Sequence, residues 1–256
     1  MFTVEQRDAL RERMLERARR DDRVVAGAAV GSLAIGAGDE YSDLDLTFAI
    51  DGEPVTDVLD DWTAELEGEL EAVPLIDLEA GSTIYRVFLL PDALQFDLSM
   101  TPAADFRPAG PKFQLLFGET APGEPPPRDP SQGSLFIRTP PVAEDIFGWG
   151  VIYALHARSC IERGRLWQAE HYVDALRDHA LSLACLREGA TVVQARGYDD
   201  LPPETLARFE ETHIGSLSPD ALRAALAASV TALIEEAEGA AVPGAGIVSE
   251  RLAELR

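Results

Sequence analysis

Lysine is nearly missing from this chain: Lys112 is the only one among 22 basic residues, the rest being arginine. Cations as a whole are outnumbered by 45 Asp and Glu, and the formal charge is -23 at pH 7 over 256 residues. Such a surface repels phosphate backbones, so direct binding to nucleic acid is disfavoured. Cysteine is scarce as well. Cys160 and Cys185 are the only two, and neither stands in a metal-type spacing. This excludes a disulfide-stapled scaffold and points to a reduced, cytoplasmic protein. No apolar run approaches the ~18 residues of a membrane span. Met1 to Arg20 reads as a charged amphipathic helix without the apolar core of a leader, so no membrane partner is expected. The four histidines, at 156, 171, 179 and 213, show no metal-ligand grouping and read as ordinary surface or core residues.

What is present suffices for a globular protein. Hydrophobic residues make up 46% of the chain, enough to bury a core in one large domain or two modest ones. The acid is unevenly spread: residues 51 to 100 hold thirteen Asp or Glu against Arg86 alone, about half of the net charge. A cationic small molecule would be drawn to that surface, and a solvated acidic face set by the composition habit of the source is the competing reading.

Along the chain, Val24 to Val30 is a short apolar run ending at Gly31-Ser32, and Asp43 to Ile50 alternates polar and apolar residues in strand fashion. Val55, Leu59, Trp62, Leu66 and Leu70 recur at helical spacing. Ile84 to Leu90 and Leu94 to Met100 read as strands about the turn Pro91-Asp92. The predicted order is α-β-α-β-α-β-β, a small α/β (α+β) domain over residues 1–120 with a mixed sheet flanked by helices. A Pro/Gly-rich linker follows at 121–142, including Pro125-Pro126-Pro127 and Pro140-Pro141. Residues 143–256 form an all-α bundle, with helices at Glu144 to Arg163, Leu166 to Glu188, Pro203 to Ile214, Pro219 to Glu238 and near Ser249. Gly164 and Gly189 are placed to end helices, and Ser218-Pro219 to start one. Trp149 and Trp167 read as core residues of this bundle.

The chemistry is carried by acids in strand register. Asp43 and Asp45 stand two apart, so their carboxylates share one face while Leu44, Leu46, Phe48 and Ile50 take the other. Gln95, Asp97 and Ser99 likewise oppose Leu94, Phe96, Leu98 and Met100. Paired carboxylates on a buried strand repel and pay desolvation unless a cation compensates, and Mg²⁺ prefers hard oxygen ligands. Asp43, Asp45 and Asp97 are therefore candidate metal ligands, and Asp97 is also a candidate base for an attacking hydroxyl. At Gly31-Ser32 a glycine lets the backbone approach phosphate, with the serine hydroxyl and following amides as donors. Gly36 and Gly38 extend that loop.

Gly31-Ser32, ten residues, then Asp43-Leu44-Asp45, with Asp97 on a later strand, resembles the nucleotidyltransferases of the DNA polymerase beta superfamily. The C-terminal helices, with Glu170, Tyr172 and Arg177, look similar to the substrate-side domain of the aminoglycoside and lincosamide nucleotidyltransferases. The resemblance implies an adenylyltransferase that moves AMP from ATP to a hydroxyl of a small-molecule acceptor and releases pyrophosphate, as in antibiotic resistance. Asp43, Asp45 and Asp97 would hold Mg²⁺, Gly31 and Ser32 would bind the terminal phosphates, and Lys112 or Arg86 would meet phosphate. Glu170 and Asp174 would contact the acceptor, although they also read as a solvated helix face paired with Arg177. Two other functions stay open: a nucleotidyltransferase acting on a protein or tRNA, and a non-catalytic nucleotide-binding protein. A cleft between the domains could be completed by a second subunit, as in a homodimer.

Overall fold

The structure is a computed structural model that describes residues 1–108, 111–123 and 142–255. The chain divides into two compact units, Met1–Phe136 and Ile137–Arg256. The first is mixed α/β and the second helical. From residue 124 to 141 the expected linker lies outside the described residues.

In the first unit, α1 (Val4–Arg20) opens on a capping box in which Thr3 and Gln6 satisfy each other's backbone amides. The strands are β1 (Val24–Val30), β2 (Leu44–Ile50), β3 (Val73–Ala80), β4 (Thr83–Leu89), β5 (Gln95–Pro102) and β6 (Phe113–Phe117), with α2 (Val55–Leu70) between β2 and β3. They form one sheet in the order β3-β4-β5-β2-β1-β6. Only β2 and β5 are parallel; the other pairs are antiparallel. Period-2 alternation decides the two faces. Leu44, Leu46, Phe48, Phe96, Leu98 and Met100 are fully buried and pack with Leu10, Met14, Val58, Leu59, Trp62 and Leu66 from the helices. Each such side chain contributes roughly 1.5–3 kcal/mol by leaving water. Trp62 keeps its one polar atom satisfied, donating from Nε1 to Asp21 Oδ2 at 2.9 Å. The opposite face carries small residues, Ala26, Ala28, Thr47, Ala49, Ser99 and Thr101, together with Asp45 and Asp97.

The observed order corrects the predicted one. Between β1 and β2 there is a single 3₁₀ turn, Leu33–Ile35, and two strands, β3 and β6, escape the sequence pattern. Both are edge strands, and each carries a one-residue register shift that breaks its period of two, between Pro74 and Ile76 in β3 and at Leu116 in β6. β3 also contains Pro74, which an edge tolerates because it needs no second donor.

In the helical unit, α3 (Ala143–Glu162), α4 (Leu166–Glu188) and α6 (Pro219–Gly239) pack together, with α5 (Pro203–Phe209) and α7 (Ala245–Arg251) beside α6. The α4 stripe Ala169, Val173, Leu176, Ala180, Leu183 and Ala184 is fully buried, and Gly189 ends that helix at φ 73°. The helix predicted for Pro203 to Ile214 stops at Phe209 and continues as a 3₁₀ turn, Glu210–Thr212. Trp167 is 77% exposed, against the expectation of a core position. Glu236 is the buried ionic centre of this unit: its carboxylate accepts from Arg187 Nε at 3.0 Å and from Arg208. Cys160 and Cys185 are buried and unpaired. No described helix is long and apolar enough to cross a membrane.

Candidate functional site

The parallel register of β2 on β5 sets Asp45 directly opposite Asp97. Asp43 stands one residue ahead of β2, and one carboxylate oxygen from each of the three lies within 4.8 Å of the others. Among the described residues no other acidic, His or Cys group converges in this way. Their electrostatics follow from crowding. Asp45 is pushed well above the usual carboxylate range by burial, then by the charges of Asp43 and Asp97, with Lys112 pulling the other way. Asp97 is pushed up to about 7, again by burial first and Asp43 second, while a hydrogen bond from Gln95 opposes the rise. Asp97 keeps an opening to solvent although protein surrounds most of it. Three acids so placed are relieved either by a proton or by a cation, and an all-carboxylate set suits a hard divalent ion.

Gly31 turns the chain out of β1 at φ 70°, a conformation in which an L side chain is strained. Space forbids a side chain there too, because a Cβ would overlap Asp45 Oδ2 and come within 3.0 Å of its Cγ. The turn and the acids are thus one packed structure. Ser32 begins the 3₁₀ turn, and its hydroxyl makes no capping bond. Lys112 is exposed just before β6, and the register that pairs Val30 with Phe113 sets it beside Gly31. Gly31, Ser32, Lys112, Asp43, Asp45 and Asp97 therefore belong to one neighbourhood of the first unit.

Arg86 does not join them. It sits opposite Leu98 on the helix-covered face, where Asp77 holds it through two bonds of 2.7 and 2.6 Å. Asp60 and Thr63 of α2 accept from its Nη1 at 2.9 and 2.8 Å. Its charge is spent on the sheet–helix contact, so the expectation that it could meet phosphate fails. Glu170 and Asp174 lie on α4 of the helical unit, and Asp174 is paired with Arg177.

Two further residues support the site without being among its candidate ligands. Arg7 is only 5% exposed, and its Nη1 donates to the main-chain oxygens of Asp39 at 2.6 Å and Ser42 at 3.2 Å. Ser42 and Asp39 brace the same loop, with Asp39 N donating to Ser42 Oγ at 2.9 Å and that hydroxyl donating to Asp39 Oδ1 at 3.0 Å. The loop that delivers Asp43 is therefore tied to α1. A signal existed: Leu10, Met14 and Ala18 form the buried stripe of α1, and stepping back three residues lands on an arginine. The second is Gln95, whose Nε2 donates to Asp97 Oδ1 at 3.0 Å.

No protein-family model matches the chain, and no curated protein does. Among solved structures the chain is similar to an aminoglycoside 6-adenyltransferase from Bacillus subtilis, at 14% identity over 94% of this chain and 89% of that one, with a TM-score of 0.34. It is also similar to the GLD-2/RNP-8 complex, at 14% identity over 88% of this chain and 67% of that one, with a TM-score of 0.31. Neither score is high enough to assign a family.

Proposed function

We propose that the chain is a Mg²⁺-dependent nucleotidyltransferase that transfers a nucleoside monophosphate, AMP from ATP, to a hydroxyl of a small cationic acceptor. The observation that carries this reading is the convergence of Asp43, Asp45 and Asp97 within 4.8 Å beside the Gly31-Ser32 turn. Asp43, Asp45 and Asp97 would hold Mg²⁺, which when bound neutralises triphosphate charge and lowers the barrier to in-line displacement. The Ser32 hydroxyl, which makes no capping bond, and the amides that follow the Gly31 turn are the proposed donors to a phosphate. Asp97, on the strand beside Asp45, is the proposed acceptor of the acceptor's hydroxyl proton as the oxygen attacks the α-phosphorus. The bond from that phosphorus to the bridging oxygen breaks, and pyrophosphate leaves.

The acceptor class rests on charge. Thirteen acids against one arginine between residues 51 and 100, within a net charge of -23, favour a polyamine-like molecule such as an aminoglycoside over RNA. Glu170 and Asp174 are proposed contacts for its amino groups. The test is pyrophosphate release from ATP and Mg²⁺ with a panel of aminoglycosides and lincosamides, beside the Asp45→Asn variant. Turnover that needs an acceptor and is lost in D45N supports the reading. Nucleotide binding without turnover across the panel would instead favour a non-catalytic protein, and radiolabel transferred from ATP to a protein in a lysate would favour a macromolecular target.

A further inference from the structure

Gln95 stands two residues before Asp97 on β5, so the two side chains rise from the same face. It is 5% exposed, and its Nε2 donates to Asp97 Oδ1 at 3.0 Å. Its other polar atom, Oε1, is buried without a partner. A half-satisfied buried amide is destabilising, which an apolar side chain of the same shape would not be. With Asp97 ionised the amide turns only one way, since the reverse would set Oε1 against a carboxylate. The cost is tolerated where the single N–H···O bond has a use, and its use is legible in the cluster. Three carboxylates repel, and Asp97 would otherwise rotate away from Asp43 and Asp45. With Oδ1 engaged by Gln95, the carboxylate plane is held and Oδ2 is left for the shared centre.

We propose that Gln95 is the positioning residue of this site, fixing Asp97 so that it offers one oxygen to a divalent cation. This rests on the reading of Asp43, Asp45 and Asp97 as metal ligands. Partners that orient a ligand are commonly worth 10- to 100-fold in metal affinity.

The experiment titrates Mn²⁺ into the full chain without nucleotide, followed by electron paramagnetic resonance, for wild type, Gln95→Met, Asp97→Asn and the double variant. Melting in EDTA is recorded for each. Q95M should weaken Mn²⁺ binding about 10-fold while its melting temperature in EDTA stays level or rises, because the orphaned Oε1 is gone. The double variant should bind no worse than D97N alone, since Gln95 acts only through Asp97. Wild-type affinity in Q95M, or additive losses in the double variant, would overturn the proposal. Should Q95M fail to fold, Gln95→Asn keeps the amide but is a methylene too short to reach Asp97, and wild-type affinity in it would overturn the proposal equally. If wild type itself takes up no Mn²⁺, the metal reading of the three acids falls and the role of Gln95 with it, an outcome separate from a silent Q95M.

Discussion

The carboxylate of Asp45 occupies the space that a side chain at position 31 would need. A Cβ on Gly31 would overlap Asp45 Oδ2, and the backbone there sits at φ 70°. The glycine of the turn and the central acid of the cluster therefore cannot change independently. Gly31→Ala should lose about 1–3 kcal/mol of stability from the left-handed backbone and the overlap together. It should also displace Asp45, so cation binding weakens more than the melting temperature alone would suggest. Calorimetry and Mn²⁺ titration of G31A read the two effects separately, and intact binding would show that Asp45 simply moves aside.

The acid cluster makes the metal-free protein sensitive to pH in an unusual direction. Burial and the Asp43 charge push Asp97 up to about 7 from an ordinary 3.8, so between those limits the folded chain retains a proton that the unfolded chain has released. The folded state then binds more protons, and stability falls as pH rises through that window, levelling above pH about 7. Asp45, also raised, acts in the same sense. Melting curves in EDTA should show this decline. Saturating Mg²⁺ should reverse it above pH about 7, and Asp97→Asn should flatten it. A metal-free melting temperature that climbs across the window would contradict the assignment.

Arg7 holds two main-chain oxygens of the loop that delivers Asp43. Arg7→Met keeps the packing of α1 but strands those carbonyls, and should cost about 1–3 kcal/mol. Hydrogen exchange should show faster opening at residues 39–42 than in the sheet, together with weaker Mn²⁺ binding. Unchanged exchange in that loop would mean that Ser42 and Asp39 brace it without help.

In the helical unit Glu236 is 1% exposed between Arg187 and Arg208, whose side chains are 30% and 42% exposed. Removing one partner of a buried pair is costly, but the exposed arginines find water and their other acids, Glu188 and Glu235. Glu236→Gln should therefore destabilise by about 1–3 kcal/mol, visible in chemical denaturation, with Mn²⁺ affinity unaltered.

Arg86 and Lys112 illustrate how far linear reading reaches. Each is a cation near the acids in sequence or in the predicted sheet, and the sequence offers no ground for separating them. Pairing does: Arg86 lies opposite Leu98 and so faces the helices, whereas Lys112 lies opposite the turn and acts on Asp45. The edge strands β3 and β6 were missed for a related reason. Their identity depends on a neighbour elsewhere in the chain, and a register shift in each interrupts its period of two.

What the sequence determined by itself was local and periodic. Strand alternation decided that Asp45 and Asp97 turn away from Leu46 and Leu98, helical spacing set the buried stripe of α4, and Thr3 with Gln6 set the start of α1. These follow from backbone geometry within a few residues. Tertiary structure decided which separated segments meet. The parallel pairing of β2 with β5 put Asp45 against Asp97, burial raised their proton affinity, and Arg7 acquired partners in the loop at residues 39–42 that no spacing encodes. Those outcomes depend on long-range packing, where desolvation and repulsion are set by neighbours distant along the chain.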